Sequence, residues 1–182
     1  MFEAARKLTL ASLDDSAVEV TAQYNPKELE LAKQIAWIEH DVLGARTDAG
    51  RKKAALANRG ALHLEFKGRQ GRTLGLELLF DGFEEKRSIE PAVQILEELS
   101  SPLDATSQDD QLRRPHLCVA VWGDRGIRPF KCVIESLTVK YTMFSREGIP
   151  LRALCNVKLK EATKLSTSAA EREQFTGKRK PA

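Results

Sequence analysis

Two long runs near the C-terminal end restrict the folds open to this chain more than any other feature. The first, Pro129–Phe144, contains Phe130-Lys131-Cys132-Val133-Ile134-Glu135-Ser136-Leu137-Thr138-Val139-Lys140-Tyr141-Thr142-Met143-Phe144. The second is Leu151-Arg152-Ala153-Leu154-Cys155-Asn156-Val157-Lys158-Leu159-Lys160-Glu161, and Ser145–Pro150 separates the two. Alternating, β-branched runs split by a short segment with Gly148 and Pro150 predict a β-hairpin. Both runs exceed the usual strand of about five or six residues. Strands this long rarely stand alone; they suit a barrel or a sheet continued across subunits. The first run also changes phase. Phe130, Cys132 and Ile134 are apolar on even positions, whereas Leu137, Val139, Tyr141 and Met143 are apolar on odd ones. A one-residue slip flips every side chain, so a β-bulge is expected near Glu135-Ser136.

The rest of the chain supplies shorter elements. Lys7–Leu13 and Ala17–Tyr24 predict an N-terminal hairpin about the Asp14-Asp15-Ser16 turn, with Val18, Val20, Ala22 and Tyr24 on one face. Asn25-Pro26 ends it. Residues 27–60 hold no single period and are read as a long loop, with a helical turn within Lys52–Ala57. The basic residues of that stretch, Arg46, Arg51, Lys52, Lys53 and Arg59, suit a solvated loop and a partner-contacting loop equally well. Ala61–Lys67 and Thr73–Asp81 predict a second hairpin about Gly68–Arg72. Leu62, Leu64 and Phe66 are expected on one face of the first strand, and Leu74, Leu76, Leu78 and Phe80 on one face of the second.

Ser88–Ser101 predicts the helix, with Ile89, Ala92, Val93, Leu96 and Leu99 at helical spacing, Ser88 as N-cap and Pro91 inside the first turn. His116–Trp122 predicts a strand with Leu117, Val119 and Val121 inward. The polar residues 162–182, ending in Lys178-Arg179-Lys180-Pro181-Ala182, cannot bury enough apolar surface to fold alone. The domain organisation expected is therefore 1–161 plus a tail, 162–182.

Chemistry-bearing groupings are scarce. The formal charge is +3 over 182 residues, which does not by itself point to nucleic acid. No apolar run approaches the roughly 18 residues that span a bilayer, and Met1–Lys7 is not expected to act as a signal peptide because an acid appears early and an apolar segment is missing. Cys118, Cys132 and Cys155 each fall in a predicted strand; the odd count suits buried thiols in a reducing compartment. His40, His63 and His116 are scattered, with no metal-ligand spacing, phosphate loop or nucleophile elbow. Glu77 and Asp81 share a strand, but a solvated strand face explains them better than catalysis. Trp37 and Trp122 read as packing residues. No cofactor, metal or catalytic residue is expected.

The order of landmarks nevertheless resembles a known family. Tyr24-Asn25-Pro26 follows the first hairpin, Leu64–Gly68 precedes Arg72–Asp81, and a helix leads to Arg114–Leu117 and Val121-Trp122-Gly123. Then come Ile134–Leu137, Tyr141–Phe144, Gly148-Ile149-Pro150-Leu151-Arg152-Ala153 and Val157–Glu161. Over residues 7–161 this is similar to the tube-like N-terminal domain of contractile injection system baseplate proteins, which many members continue into a LysM module absent from these residues. The motif positions are Tyr24, Asn25, Pro26, Asp81, Trp122, Gly123, Gly148, Pro150 and Arg152.

The resemblance implies a mainly β fold, a tail-tube-like antiparallel barrel or sandwich with one flanking helix at 88–101 and a long loop between strands 2 and 3. It implies assembly in the cytoplasm into a tail-like particle that can be released. There, six copies would form a ring joining the inner tube to the spike, with no enzymatic activity, nucleic acid or stable membrane insertion. Arg46, Arg51, Lys52, Lys53, Arg59, Lys178, Arg179 and Lys180 become the partner-contact candidates. The alternative is a nucleic-acid-binding β-barrel whose footprint is the basic loop 44–59 and the basic tail.

Overall fold

The structure is a computed structural model that describes residues 6–39, 64–109, 111–123 and 127–163. Its strands are β1 (Leu8–Ser12), β2 (Glu19–Thr21), β3 (Leu29–Ala32), β4 (Ile35–Glu39), β5 (Leu64–Arg69) and β6 (Thr73–Asp81). They are followed by helix α1 (Glu90–Ser100) and by β7 (Cys118–Trp122), β8 (Ile127–Phe144) and β9 (Pro150–Glu161). The chain divides into two compact units, Met1–Ala32 with Thr73–Ala182, and Lys33–Arg72.

The first unit is a seven-stranded sheet of order β2-β1-β7-β8-β9-β6-β3, with every pairing antiparallel. The mainly β fold with one helix is as expected. The sheet is not closed into a barrel: β2 and β3 form its two edges. One face of the sheet is dry. Leu8 and Leu10 of β1, Leu74, Leu76, Leu78 and Phe80 of β6, and Ala153, Cys155, Val157 and Leu159 of β9 are buried there with Val93, Leu96 and Leu99 of α1.

The predicted bulge is present. The β8–β9 register shifts between Ile134 and Ser136, so that Glu135 is the extra residue. It lets Phe130, Cys132 and Ile134 and then Leu137, Val139 and Tyr141 all face the core. Ser88 does not occupy the N-cap position, which is Ile89. Its hydroxyl still accepts the Glu90 N–H at 3.2 Å.

Four expectations need correction. Residues 27–60 are not all loop, because β3 and β4 occupy part of them; β3 pairs with β6 from Leu29↔Leu76 to Ala32↔Thr73. Apolar period reports burial, and β3 is an edge strand with little of it, so its ladder left no pattern to read. Likewise β5 pairs with β4 rather than β6, and Gly68 lies within β5 rather than in a turn. In this second unit Leu64 and Phe66 are half exposed, and Trp37 meets Phe66 edge-on at 5.6 Å. Third, β7 is reversed: His116, Cys118 and Ala120 are buried, and Val121 is exposed. Ala120 lies opposite both Leu10 and Phe130, and Cys118 opposite Ser12 and Cys132. Small residues fit between these neighbours, and the valines take the outer face. Finally, Tyr24 is 50% exposed, because the strand ends at Thr21 and the chain has turned away.

Candidate assembly interface

The overlong β8 is paired unequally on its two sides. β7 runs beside it only from Ile127 to Cys132. β9 runs along the other side from Cys132 to Phe144. From Val133 to Phe144, β8 therefore has a strand partner on one side only among the described residues. A one-sided strand presents a row of backbone donors and acceptors that another strand can pair.

The two faces of this stretch differ. Leu137, Val139 and Tyr141 pack against the core. The Tyr141 hydroxyl donates to Glu90 Oε2 at 3.0 Å, and burial together with that carboxylate pushes its pKa up to about 12. The opposite face is polar. Glu135 lies 2.9 Å from Lys158 Nζ and 3.3 Å from Lys160 Nζ, and these two cations hold its carboxyl below the usual range.

Several motif residues are joints that fix the sheet's ends. Asp81 and Arg152 are cross-strand neighbours, and the guanidinium donates to Oδ2 through Nε at 2.9 Å and Nη2 at 2.6 Å. That pairing, with the Phe83 N–H, holds the Asp81 carboxyl below its ordinary value. The Asp81 backbone is engaged too. The Gln23 side-chain amide accepts the Asp81 N–H and donates to the Asp81 carbonyl, both at 2.7 Å. A glutamine beyond β2 thus does for β6 what a neighbouring strand's peptide would do, and ties one edge of the sheet to the other side of the fold.

Asn25 is a second joint: its Oδ1 accepts the Leu8 N–H at 3.0 Å, and its Nδ2 donates to the Arg6 carbonyl at 2.8 Å. Trp122 Nε1 donates to the same carbonyl at 3.1 Å. Pro26 is buried beside them in sequence. Gly123 has φ +65° and Gly148 φ +82°, a left-handed backbone that glycine adopts without strain. Pro150 starts β9, and its carbonyl accepts the Ile89 N–H at 3.2 Å.

A joint not read from the sequence links β1 to β7. Arg114 grips Asp14 through Nη1 and Nη2, each at 2.8 Å, and the Leu117 N–H adds a bond of 2.7 Å to Oδ2. The guanidinium is the main cause of the lowered Asp14 pKa. Nearby, Ser12 Oγ lies 2.8 Å from His116 Nδ1 and accepts the Asp14 and Asp15 N–H groups at 3.0 Å each. With its acceptor capacity used by two backbone donors, the hydroxyl donates to Nδ1. This Ser–His pair is buried and serves the turn. Its only sequence signal is the pair of turn-forming aspartates.

The remaining candidates divide simply. Arg46, Arg51, Lys52, Lys53, Arg59, Lys178, Arg179 and Lys180 lie outside the described residues. Glu77 is exposed, and Asp81 is committed to Arg152, so the two carboxylates do not act as a pair. Cys118 and Cys132 face each other across the β7–β8 ladder as free, buried thiols, with burial pushing each pKa to about 12. Among the described residues no cluster of His, Cys, Asp and Glu could hold a metal ion, and no helix is long and apolar enough to cross a membrane. The described aromatic contacts, Trp37–Phe66 across β4 and β5 and Tyr141–Phe144 within β8, are edge-on or tilted pairs, unlike a row of base-stacking platforms.

A comparison with curated proteins gives no significant match. Among protein families, the model described as contractile injection system tube protein matches residues 5–170.

Proposed function

The chain belongs to the contractile injection system tube protein family, whose members are structural components of tail-like particles, and on that premise we propose that six copies form a ring at the baseplate, joining the inner tube to the spike. One observation carries this reading: among the described residues β8 has a strand partner on only one side from Val133 to Phe144. A ring supplies the missing neighbour from the next copy, and closure removes the free edge. The polar face of β8 and β9, with its paired Glu135, Lys158 and Lys160, suits a wall in contact with water. The protein acts by holding its neighbours rather than by catalysis.

The basic stretch with Arg46, Arg51, Lys52, Lys53 and Arg59 contacts the adjacent ring, its cations facing acidic groups there. The tail, with Lys178, Arg179 and Lys180, docks on another baseplate component. Negative-stain images of the native particle and of the purified protein test the ring. Six-fold rings, or density for this chain at the tube–spike junction, are expected. Particles that lack the chain yet keep tube and spike joined would overturn it. Deleting Ala45–Asn58 is expected to abolish tube attachment with the β-sheet intact, and truncation after Thr163 to lose particles or sheath recruitment.

A further inference from the structure

Two surfaces of the first unit have complementary chemistry, and each keeps part of it exposed to solvent. The first is a groove of ≈ 450 Å³ between edge strand β2 and the N-terminal half of α1. Its floor is apolar, with Val20, Phe80, Ile89, Ala92 and Ile95, and its rim carries Glu19 and Arg87. Neither rim charge is buried: Glu19 is exposed, and Arg87 makes only a surface pair with Glu85 at 3.1 Å.

The second surface is the β8–β9 turn. Phe144 is 56% exposed and Ile149 44%, on either side of Arg146 and Glu147. The turn is closed by its own bonds. The Ser145 N–H donates to the Ile149 carbonyl at 2.8 Å, and the Gly148 N–H to the Ser145 carbonyl at 3.1 Å. Ser145 Oγ accepts the Glu147 and Ile149 N–H groups at 3.1 and 3.2 Å. Such a turn holds its side chains out at little entropic cost on docking.

We propose that the β8–β9 turn of one copy seats in the β2–α1 groove of the next, with Phe144 and Ile149 on the apolar floor, Arg146 facing Glu19 and Glu147 facing Arg87. The occupant is a second copy of this chain because the turn supplies both what the groove lacks, two large exposed apolar side chains, and the opposite charge for each rim residue. Made head to tail rather than exchanged within a pair, the contact is heterologous and propagates from copy to copy until it closes. In that respect it rests on the ring reading above, to which it adds a contact made by side chains rather than by strand pairing.

Disulfide trapping tests it. Protein carrying Ile149→Cys is mixed with protein carrying Ala92→Cys, assembled, and treated with a mild oxidant. The native cysteines are fully buried and do not interfere. Cross-linked dimers are expected from this mixture, at least tenfold more than from Ile149→Cys mixed with Lys140→Cys. Equal trapping in both mixtures overturns the proposal, and so do visible rings without the Ile149–Ala92 link, an outcome that leaves the ring standing. A specific link in assemblies no larger than a dimer supports the contact and overturns the ring. Neither rings nor link overturns both. As a second arm, Arg146→Glu is expected to weaken assembly at least tenfold and Glu19→Arg to restore it; failure of the restoration overturns the charge pairing.

Discussion

Deleting Glu135 should leave the first unit folded, although it shortens the central strand by one residue. Glu135 is the extra residue of the bulge, and its side chain makes only surface pairs with Lys158 and Lys160. Without it Ile134, Ser136 and Leu137 follow one another in ordinary alternation opposite Leu159, Lys158 and Val157, the partners they already have. Leu137, Val139 and Tyr141 therefore stay on the core face, and Tyr141 keeps its bond to Glu90. What is lost is the bend of the bulge and two surface pairs, which contribute little. Leu159→Ala sets the scale for comparison. That side chain is fully buried opposite Ile134, and its truncation should cost about 2–5 kcal/mol out of the roughly 5–15 kcal/mol that holds an ordinary domain together. Urea unfolding followed by circular dichroism checks this. Glu135→Ala should unfold with nearly the wild-type midpoint, and the deletion should keep a cooperative transition with a midpoint above that of Leu159→Ala. A deletion variant without a cooperative transition would refute the reasoning, since the residues after Ser136 would then not keep their face when the extra residue is removed.

Three further perturbations follow from the joints of the sheet. Gln23→Ala removes two bonds to the Asp81 backbone and should cost about 1–3 kcal/mol at two bonds of about 0.5–1.5 each, with faster exchange of the Asp81 amide by NMR; unchanged Asp81 protection would contradict it. Asp14 titrates lower in the folded chain than in the unfolded one because Arg114 stabilises its charged form. Its contribution is therefore complete above the ordinary aspartate value of about 3.9 and is lost as pH falls through the lower folded value. Asp14→Asn should lower stability by about 1–3 kcal/mol at pH 7 and flatten the urea midpoint against pH below the ordinary aspartate value of about 3.9. Gly82→Ala would drive a methyl group into the Arg87 carbonyl oxygen, whose own N–H bonds back to Gly82. It should cost about 2–4 kcal/mol and lower the melting temperature measurably by calorimetry.

The elements legible in the sequence were those whose burial leaves a period. The β8 bulge could be read because apolar residues switch from even to odd positions, and α1 because Val93, Leu96 and Leu99 fall on one side. β7 misled because its β-branched residues lie outward while cysteine and alanine fill the core; size set by Leu10 and Phe130 outweighed hydrophobicity. β3, β4 and β5 were missed or mispaired because their hydrogen bonds come without deep burial. The lengths of β8 and β9 raised the expectation of a sheet continued across subunits, but which side of β8 has no strand partner among the described residues depends on where β7 stops. The Gln23–Asp81 joint left no trace, since a side chain that stands in for a peptide carries no pattern, and its partner lies 58 positions away in sequence.

The pairing of β1 with β7 also orders events during synthesis. Leu8 is laid against Trp122, and Ser12 against Cys118. At about 5–20 residues per second, a ribosome makes β1 many seconds before its partner strand exists. Until then the N-terminal hairpin has only itself, and a lone two-stranded hairpin is marginal in water. β1 is thus made early and secured late, and a cell that slows translation before residue 118 prolongs the interval in which this chain is open to capture by another.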